Sequence, residues 1–208
     1  MKIYHAAVGM LATNCYLAVN EELKEGAVVD PGADCDTILD MAEQAGVKIT
    51  AILVTHGHSD HIGALNALRK ATGAEVYISA EDADCLLKSD RNLSFFVGSD
   101  ITCAPAEHIV RDGDVIEAAG MKFRVYATPG HTKGGVCFEL EGANAVFVGD
   151  TVFCESIGRT DLPGGSYKEI LESIRTKLLV LDDSVSLLPG HGPVTTVGWE
   201  RRRNPFLQ

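Results

Sequence analysis

"ILVTHGHSDHIG", residues 52–63, decides how this chain is read. An apolar, β-branched run ends at Thr55, and three of the chain's seven histidines follow within six positions, with Asp60 among them. The run "ITAILVT" has the character of a buried strand. Turns held at the ends of rigid strands are where reactive side chains are presented. In an extended turn, alternate residues point the same way, so His56 and His58 can grip one metal ion. Asp60 and His61 sit where the chain turns into a helix, and they can face a second ion.

The rest of the chain repeats the pattern. His131 follows "RVYATPG", Asp150 follows "AVFVG", and His191 follows "SLLPG", each just past an apolar strand. Strand ends gathered at one edge would let His131 complete the first ligand set and His191 the second, with Asp150 bridging both. Three protein ligands per ion plus a shared carboxylate leave room for water, as a catalytic site requires and a closed structural site does not. Imidazole and carboxylate without thiolate suit zinc, iron or manganese. The expectation is two divalent ions, zinc first among them. His5 and His108 stand outside the pattern and read as ordinary histidines.

Composition bounds the alternatives. A chain of 208 residues, 46% hydrophobic, has ample material for one domain over residues 1–208 without covalent staples. The six cysteines form no C-x-x-C pair and read as free thiols in a reducing cytosol. "MKIYHAAVGMLATNCYLAVN" carries one lysine and has its apolar residues interrupted, so it reads as strands rather than a secretory signal, and a cytoplasmic location is expected. A formal charge of −11 argues against a nucleic-acid surface, and no apolar run is long enough to cross a membrane. Arg201, Arg202 and Arg203 form the one basic cluster, a solvated surface or an anion contact.

Strands are expected in "KIYHAAV", "NCYLAVN", "GAVVD", "ITAILVT" and "EVYISA". "CDTILDMAEQAG" reads as a helix capped by Asp34 and stopped by Gly46. "HIGALNALRKATG" reads as another, with Ile62, Leu65 and Leu68 on one face, and "EDADCLLKS" as a short one. Residues 90–110 look irregular, with Ser94, Phe95 and Phe96 either lining a groove or packed as core. Four further strands, an amphipathic helix in "SYKEILESIRTKLLVL" and a last strand in "SVSLLPG" complete the chain. The two halves look alike, and a two-sheet core with helices on both outer faces accommodates them.

With "NCYLAV", "VVDPG", "ILVTHGHSDHIG", "TPGHT", "VFVGDT" and "LLPGHGP", the chain resembles the metallo-β-lactamase-fold hydrolases over most of its length. The resemblance implies an α/β fold, a four-layer αβ/βα sandwich with a dinuclear site at one edge. It implies His56, His58 and His131 as ligands of the first ion, Asp60, His61 and His191 as ligands of the second, and Asp150 as the bridge. It also places Asp30 behind the ligands, where such partners orient imidazoles.

"GDTVFCESIGRTDLPGGS" and the tail "NPFLQ" are most similar to the compact glyoxalase II-like thioester hydrolases. The resemblance implies an S-D-lactoylglutathione-like thioester as the small-molecule partner, a metal-bridging hydroxide as nucleophile, and Asp60 as a proton acceptor. Arg159 would contact glutathione, or else pair with Asp161. The longer relatives continue past "NPF" into further glutathione-binding residues, so a different thioester is also expected to be compatible. "GRTD" is similar as well to the persulfide dioxygenases, which hold a single iron. A lactonase or esterase, and a metal-binding module without catalysis, complete the alternatives. No protein nucleophile is expected, because "GxSxG" is absent and no cysteine has a base beside it.

Overall fold

The computed structural model describes residues 1–97 and 99–208, the side chains of Phe96 and Val97 excepted. Two six-stranded sheets face one another. The first takes its strands in chain order: β1 (Lys2–Val8), β2 (Thr13–Asn20), β3 (Glu25–Val29), β4 (Lys48–Leu53), β5 (Glu75–Ser79) and β6 (His108–Val110). The first three pair antiparallel and the rest parallel. The second is built from β7 (Val115–Ala118), β8 (Met121–Ala127), β9 (Val136–Leu140), β10 (Ala145–Gly149), β13 (Ser186–Pro189) and β14 (Thr195–Thr196). A small hairpin, β11 (Val152–Phe153) with β12 (Ser156–Ile157), leaves β10.

The strand period of two sorts side chains into separate layers. On β2, Tyr16 and Ala18 enter the core between the sheets, while Cys15, Leu17 and Val19 face the helices on the outside. On β10, Phe147 points inward beside Phe123 and Phe138, and Val146 and Val148 point outward. The first outer layer holds α1 (Cys35–Ala45) and α3 (Leu65–Thr72), with Ile38, Leu65 and Leu68 fully buried. The second holds α5 (Tyr167–Ser173), which runs on as a wider turn through Leu178 and buries Ile170, Ile174 and Leu178. The result is the expected αβ/βα sandwich.

Local readings differ in instructive places. The single helix expected over residues 61–73 is two, α2 (Ser59–Ile62) and α3. The break is at Gly63, where a Cβ would lie 2.2 Å from the Gly32 carbonyl oxygen. The Ala64 amide leaves the helix to bond the Pro31 carbonyl at 2.9 Å. Asp34 stands at the start of α1 but makes no side-chain cap; its carboxylate accepts the Gly9 amide at 2.8 Å instead. The irregular stretch after α4 (Ala83–Leu87) conceals β6, a three-residue edge strand. "SVSLLPG" is not the last element, since β14 and α6 (Val197–Arg203) follow it.

The arginine cluster is a surface feature of α6. Arg201 and Arg202 pair with Asp183, and Arg203 lies over the Trp199 ring. Ser94 is fully buried and Phe95 exposed, while the ring of Phe96 lies outside the described residues. Among the described residues no helix is long and apolar enough to cross a membrane.

Candidate metal centre

Strand direction brings the predicted residues together. In the second sheet β9 runs antiparallel to both β8 and β10, and β13 runs parallel to β10. The ends of β8, β10 and β13 therefore lie at one edge, and His131, Asp150 and His191 follow them. The loop after β4 reaches the same edge from the other sheet. Cross-sheet bonds close the seam there: the Val136 amide to Thr55 O at 2.9 Å, the Asn14 amide to Gly190 O at 2.7 Å, and the Tyr16 hydroxyl to Pro189 O at 2.8 Å.

Three groups of possible ligand atoms result, each lying within 4.8 Å of one another: His56 with His58 and His131; Asp60 with His61 and His191; and His56 with His61 and Asp150. The third group joins the other two. Asp150 places Oδ1 at 3.4 Å from His61 Nε2, and Oδ2 at 3.5 Å from His131 Nε2 and 3.7 Å from His191 Nε2.

Four of the five rings are held by the other nitrogen. His61 Nδ1 meets Asp30 Oδ2 at 2.9 Å. His131 Nδ1 donates to the Arg159 carbonyl at 2.8 Å, and His191 Nδ1 to the Leu11 carbonyl at 3.2 Å. His56 Nδ1 lies 3.1 Å from Thr55 Oγ1, whose hydroxyl also serves Asp30 at 2.7 Å. These contacts fix the rings with Nε2 of His56, His61, His131 and His191 turned inward.

Among the described residues, four buried side-chain polar atoms lack a hydrogen-bond partner, and three are here: His56 Nε2, His61 Nε2 and Asp150 Oδ1. A buried polar atom without a partner is costly, and orphans converging on one point are what a missing cation leaves behind. The donor set of nitrogen and carboxylate oxygen fits a borderline divalent ion. Gly190 explains how tightly the set packs: a Cβ there would fall 2.3 Å from Asp150 Oδ1 and 2.6 Å from His61 Cε1.

The electrostatics differ across the centre. Burial, reinforced by the neighbouring rings, holds His56 well below the ordinary histidine value and His58 down to about 3. Around His61 burial opposes the charge, but Asp150 and Asp30 outweigh it and raise the ring well above that value. Bonding to Asp60 raises His191 too. Ligation needs a neutral imidazole. At neutral pH the pair His56 and His58 is already neutral, whereas an ion at His61, whose ring is held well above the ordinary value, must displace a proton. Lowering the pH should therefore strip the Asp60–His61–His191 ion first, its apparent affinity falling about tenfold per pH unit for each proton displaced. Metal titrations followed calorimetrically in buffers of different ionisation enthalpy check this; equal pH slopes at both sites would refute it.

One contributor was not legible beforehand. Asp82, buried at the start of α4, accepts Gly57 N–H at 2.9 Å and the Thr132 hydroxyl at 2.8 Å on Oδ2, and Gly134 N–H at 2.9 Å on Oδ1. It ties the loop carrying His56 and His58 to the loop carrying His131. In sequence it looks like the acidic start of a short helix. Two threonines beside the ligands are part of the support: Thr55 bonds Asp30 and Thr132 bonds Asp82.

Arg159 lies at the cavity beside this centre and pairs with Asp161. Its Nε and Nη2 each meet an Asp161 carboxylate oxygen at 2.8 Å, on the surface. All six thiols are pushed up by burial, Cys85 to about 12, so none is an activated nucleophile. His5 stacks on Tyr16 and His108 pairs with Glu75, both away from the centre.

The fold and this edge are those of a metal-dependent hydrolase, and residues 8–191 match the model of the Metallo-beta-lactamase superfamily; the chain belongs to that superfamily. Within it, the chain is 35% identical over 209 residues to hydroxyacylglutathione hydrolase GloC of Haemophilus influenzae, covering 100% of this chain and 98% of that one. Among solved structures it is similar to the BLEG-1 B3 metallo-beta-lactamase (TM-score 0.94, 36% identity, 99% of each chain). It is also similar to a di-iron-bound form of TTHA1623 (0.87, 34% identity, 98% of this chain and 100% of that one). ETHE1 from Myxococcus xanthus superposes with a TM-score of 0.84 at 30% identity, over 99% of this chain and 84% of that one.

Proposed function

We propose that this chain hydrolyses thioesters in the manner of glyoxalase II, with S-D-lactoylglutathione as its reference substrate. The observation that carries the reading is the pair of histidine–aspartate clusters sharing Asp150 at the floor of a cavity of about 730 Å³. The full-length likeness to a hydroxyacylglutathione hydrolase supports it. His56, His58 and His131 would hold one divalent ion and Asp60, His61 and His191 a second, with Asp150 facing both sets. Zinc suits this donor set, and the di-iron form of a similar protein supports iron equally.

Bound there, two such ions would activate water near neutral pH and polarise a carbonyl. In the overall reaction water's oxygen forms the new C–O bond and the C–S bond breaks with its electron pair going to sulfur. The products are a carboxylate, a thiol and one net proton. The chain's own part is orientation and proton handling. Asp30 and the carbonyls of Arg159 and Leu11 hold the rings. Asp60 Oδ2, 3.2 Å from the Thr13 hydroxyl and 3.2 Å from His191 Nε2, stands at the cavity wall to accept a proton from water and pass it on. Burial works against its ionisation, but His191 and His61 keep its carboxyl below the usual carboxylate range, so it holds a proton only in passing. A thiolate leaves readily and needs little acid assistance.

The test is loss of thioester absorbance when S-D-lactoylglutathione meets protein loaded with zinc, iron or manganese. Rapid turnover with two ions bound supports the reading, and failure with two ions bound on this and on every other thioester defeats it. The likeness to ETHE1, with His56, His61 and Asp150 as a two-histidine, one-carboxylate set, favours a second reading as a mono-iron persulfide dioxygenase. Turnover only with one iron, and oxygen uptake on glutathione persulfide, would select it.

A further inference from the structure

The cavity above the ligands is walled by hydrocarbon. Leu11, Leu93, Phe153, Ile157 and Leu162 line it, brought in by four separate segments from both halves of the fold. Leu11 sits in the β1–β2 turn whose carbonyl holds His191, and Phe153 stands edge-on to the His191 ring at 6.2 Å. The wall is therefore built onto the centre and is not a distant patch.

Asp60 and Asp150 bring negative charge to the base of the cavity, beside the histidines. Among the described residues lining it, Arg159 is the sole permanent cation, and its Nε and Nη2 both meet Asp161. The protein as a whole carries −11, which disfavours the approach of anions. A glutathione carrier brings two carboxylates, and a carboxylate set against hydrocarbon loses its hydration with nothing in return. A concave, mostly apolar pocket whose metal-ligating groups gather at its floor instead suits an apolar ligand whose one reactive polar group reaches that floor.

We propose that the site selects thioesters with an apolar acyl chain on an uncharged carrier, in preference to glutathione thioesters. This rests on the thioester reading above and names its substrate class. The chain of the acyl group lies along Leu11, Leu93 and Leu162, and the carbonyl reaches the ligands below.

The test compares zinc-loaded protein on acetyl, butanoyl, hexanoyl and octanoyl thioesters of N-acetylcysteamine with S-D-lactoylglutathione. In parallel, calorimetry gives the affinity of uncleavable S-alkyl thioethers of N-acetylcysteamine and of glutathione. Expected is a rise in kcat/KM of about threefold per added methylene until the cavity is filled, the hexanoyl thioester exceeding S-D-lactoylglutathione by at least roughly tenfold. Leu11→Gln and Leu162→Gln, at exposed and half-buried positions, should each flatten the chain-length trend, lowering kcat/KM more for the octanoyl than for the acetyl thioester. A flat trend with S-D-lactoylglutathione preferred would overturn the proposal and leave the thioester reading intact. Failure on every thioester would end that reading. The thioethers would then decide the pocket: affinity rising with chain length on the neutral carrier upholds its apolar selectivity, and no such rise overturns it.

Discussion

Replacing Asp150 by alanine should leave at most one tightly bound ion per chain and lower turnover on the order of 10³-fold. The carboxylate is the one group facing both ligand sets, with oxygens 3.4 Å from His61 Nε2 and 3.5 Å from His131 Nε2. Without it each set keeps its own three ligands but the two lose their link. A bound ion supplies several kcal/mol of transition-state stabilisation, and each ~1.4 kcal/mol is tenfold in rate. The fold should survive, because Asp150 Oδ1 has no hydrogen-bond partner to lose. Metal content by elemental analysis, turnover, and circular dichroism of the metal-free protein separate these effects. Asp150→Asn, which keeps the shape without the charge, should resemble alanine in stoichiometry. Two ions bound with wild-type affinity, or full activity, would remove Asp150 from the bridging position.

The second large effect is expected at Asp82. Alanine there orphans Gly57 N–H, the Thr132 hydroxyl and Gly134 N–H, all buried. Each orphan costs roughly 1–3 kcal/mol, so the sum is a large part of the ~5–15 kcal/mol that holds a domain folded. At about 2–4 °C per kcal/mol for a chain of this size, Tm should fall by roughly 6 °C or more. A purely structural residue would do no more than that. Asp82 also positions the loops carrying His56, His58 and His131, so affinity at that set should fall about 10–100-fold. The set of Asp60, His61 and His191 should keep its affinity. Asp82→Asn retains an acceptor for two of the three donors and should fall between. Equal weakening at both sets, or none at either, would reduce Asp82 to a stability element.

How far these residues could be read in advance follows from where their information sits. The candidate ligands were legible because four crowd together just past β4 and His131, Asp150 and His191 each follow a strand of their own, and strand direction then did the gathering. Asp82 was not, because its partners lie in loops 25 to 52 residues away and its local context, "SAEDADCLL", is that of a helix start. The break at Gly63 was hidden for the same reason: Ile62, Leu65 and Leu68 keep helical spacing across it, and what forbids a continuous helix is the Gly32 carbonyl of a distant loop. Asp34 had the residue type of a cap but found the Gly9 amide first. Local pattern reported the elements and their buried faces, and long-range contacts decided the corners between them.

The strand order has a further consequence. Every strand in the first sheet comes from residues 2–110 and every strand in the second from residues 115–196, with only the turn around Gly113 between them. Each sheet can therefore zip from neighbouring segments before it meets the other. The ligands are shared out across that divide, His56 to His61 on one side and His131, Asp150 and His191 on the other. An ion held at this edge would be a clasp joining the two halves of the chain, since its candidate ligands come from both.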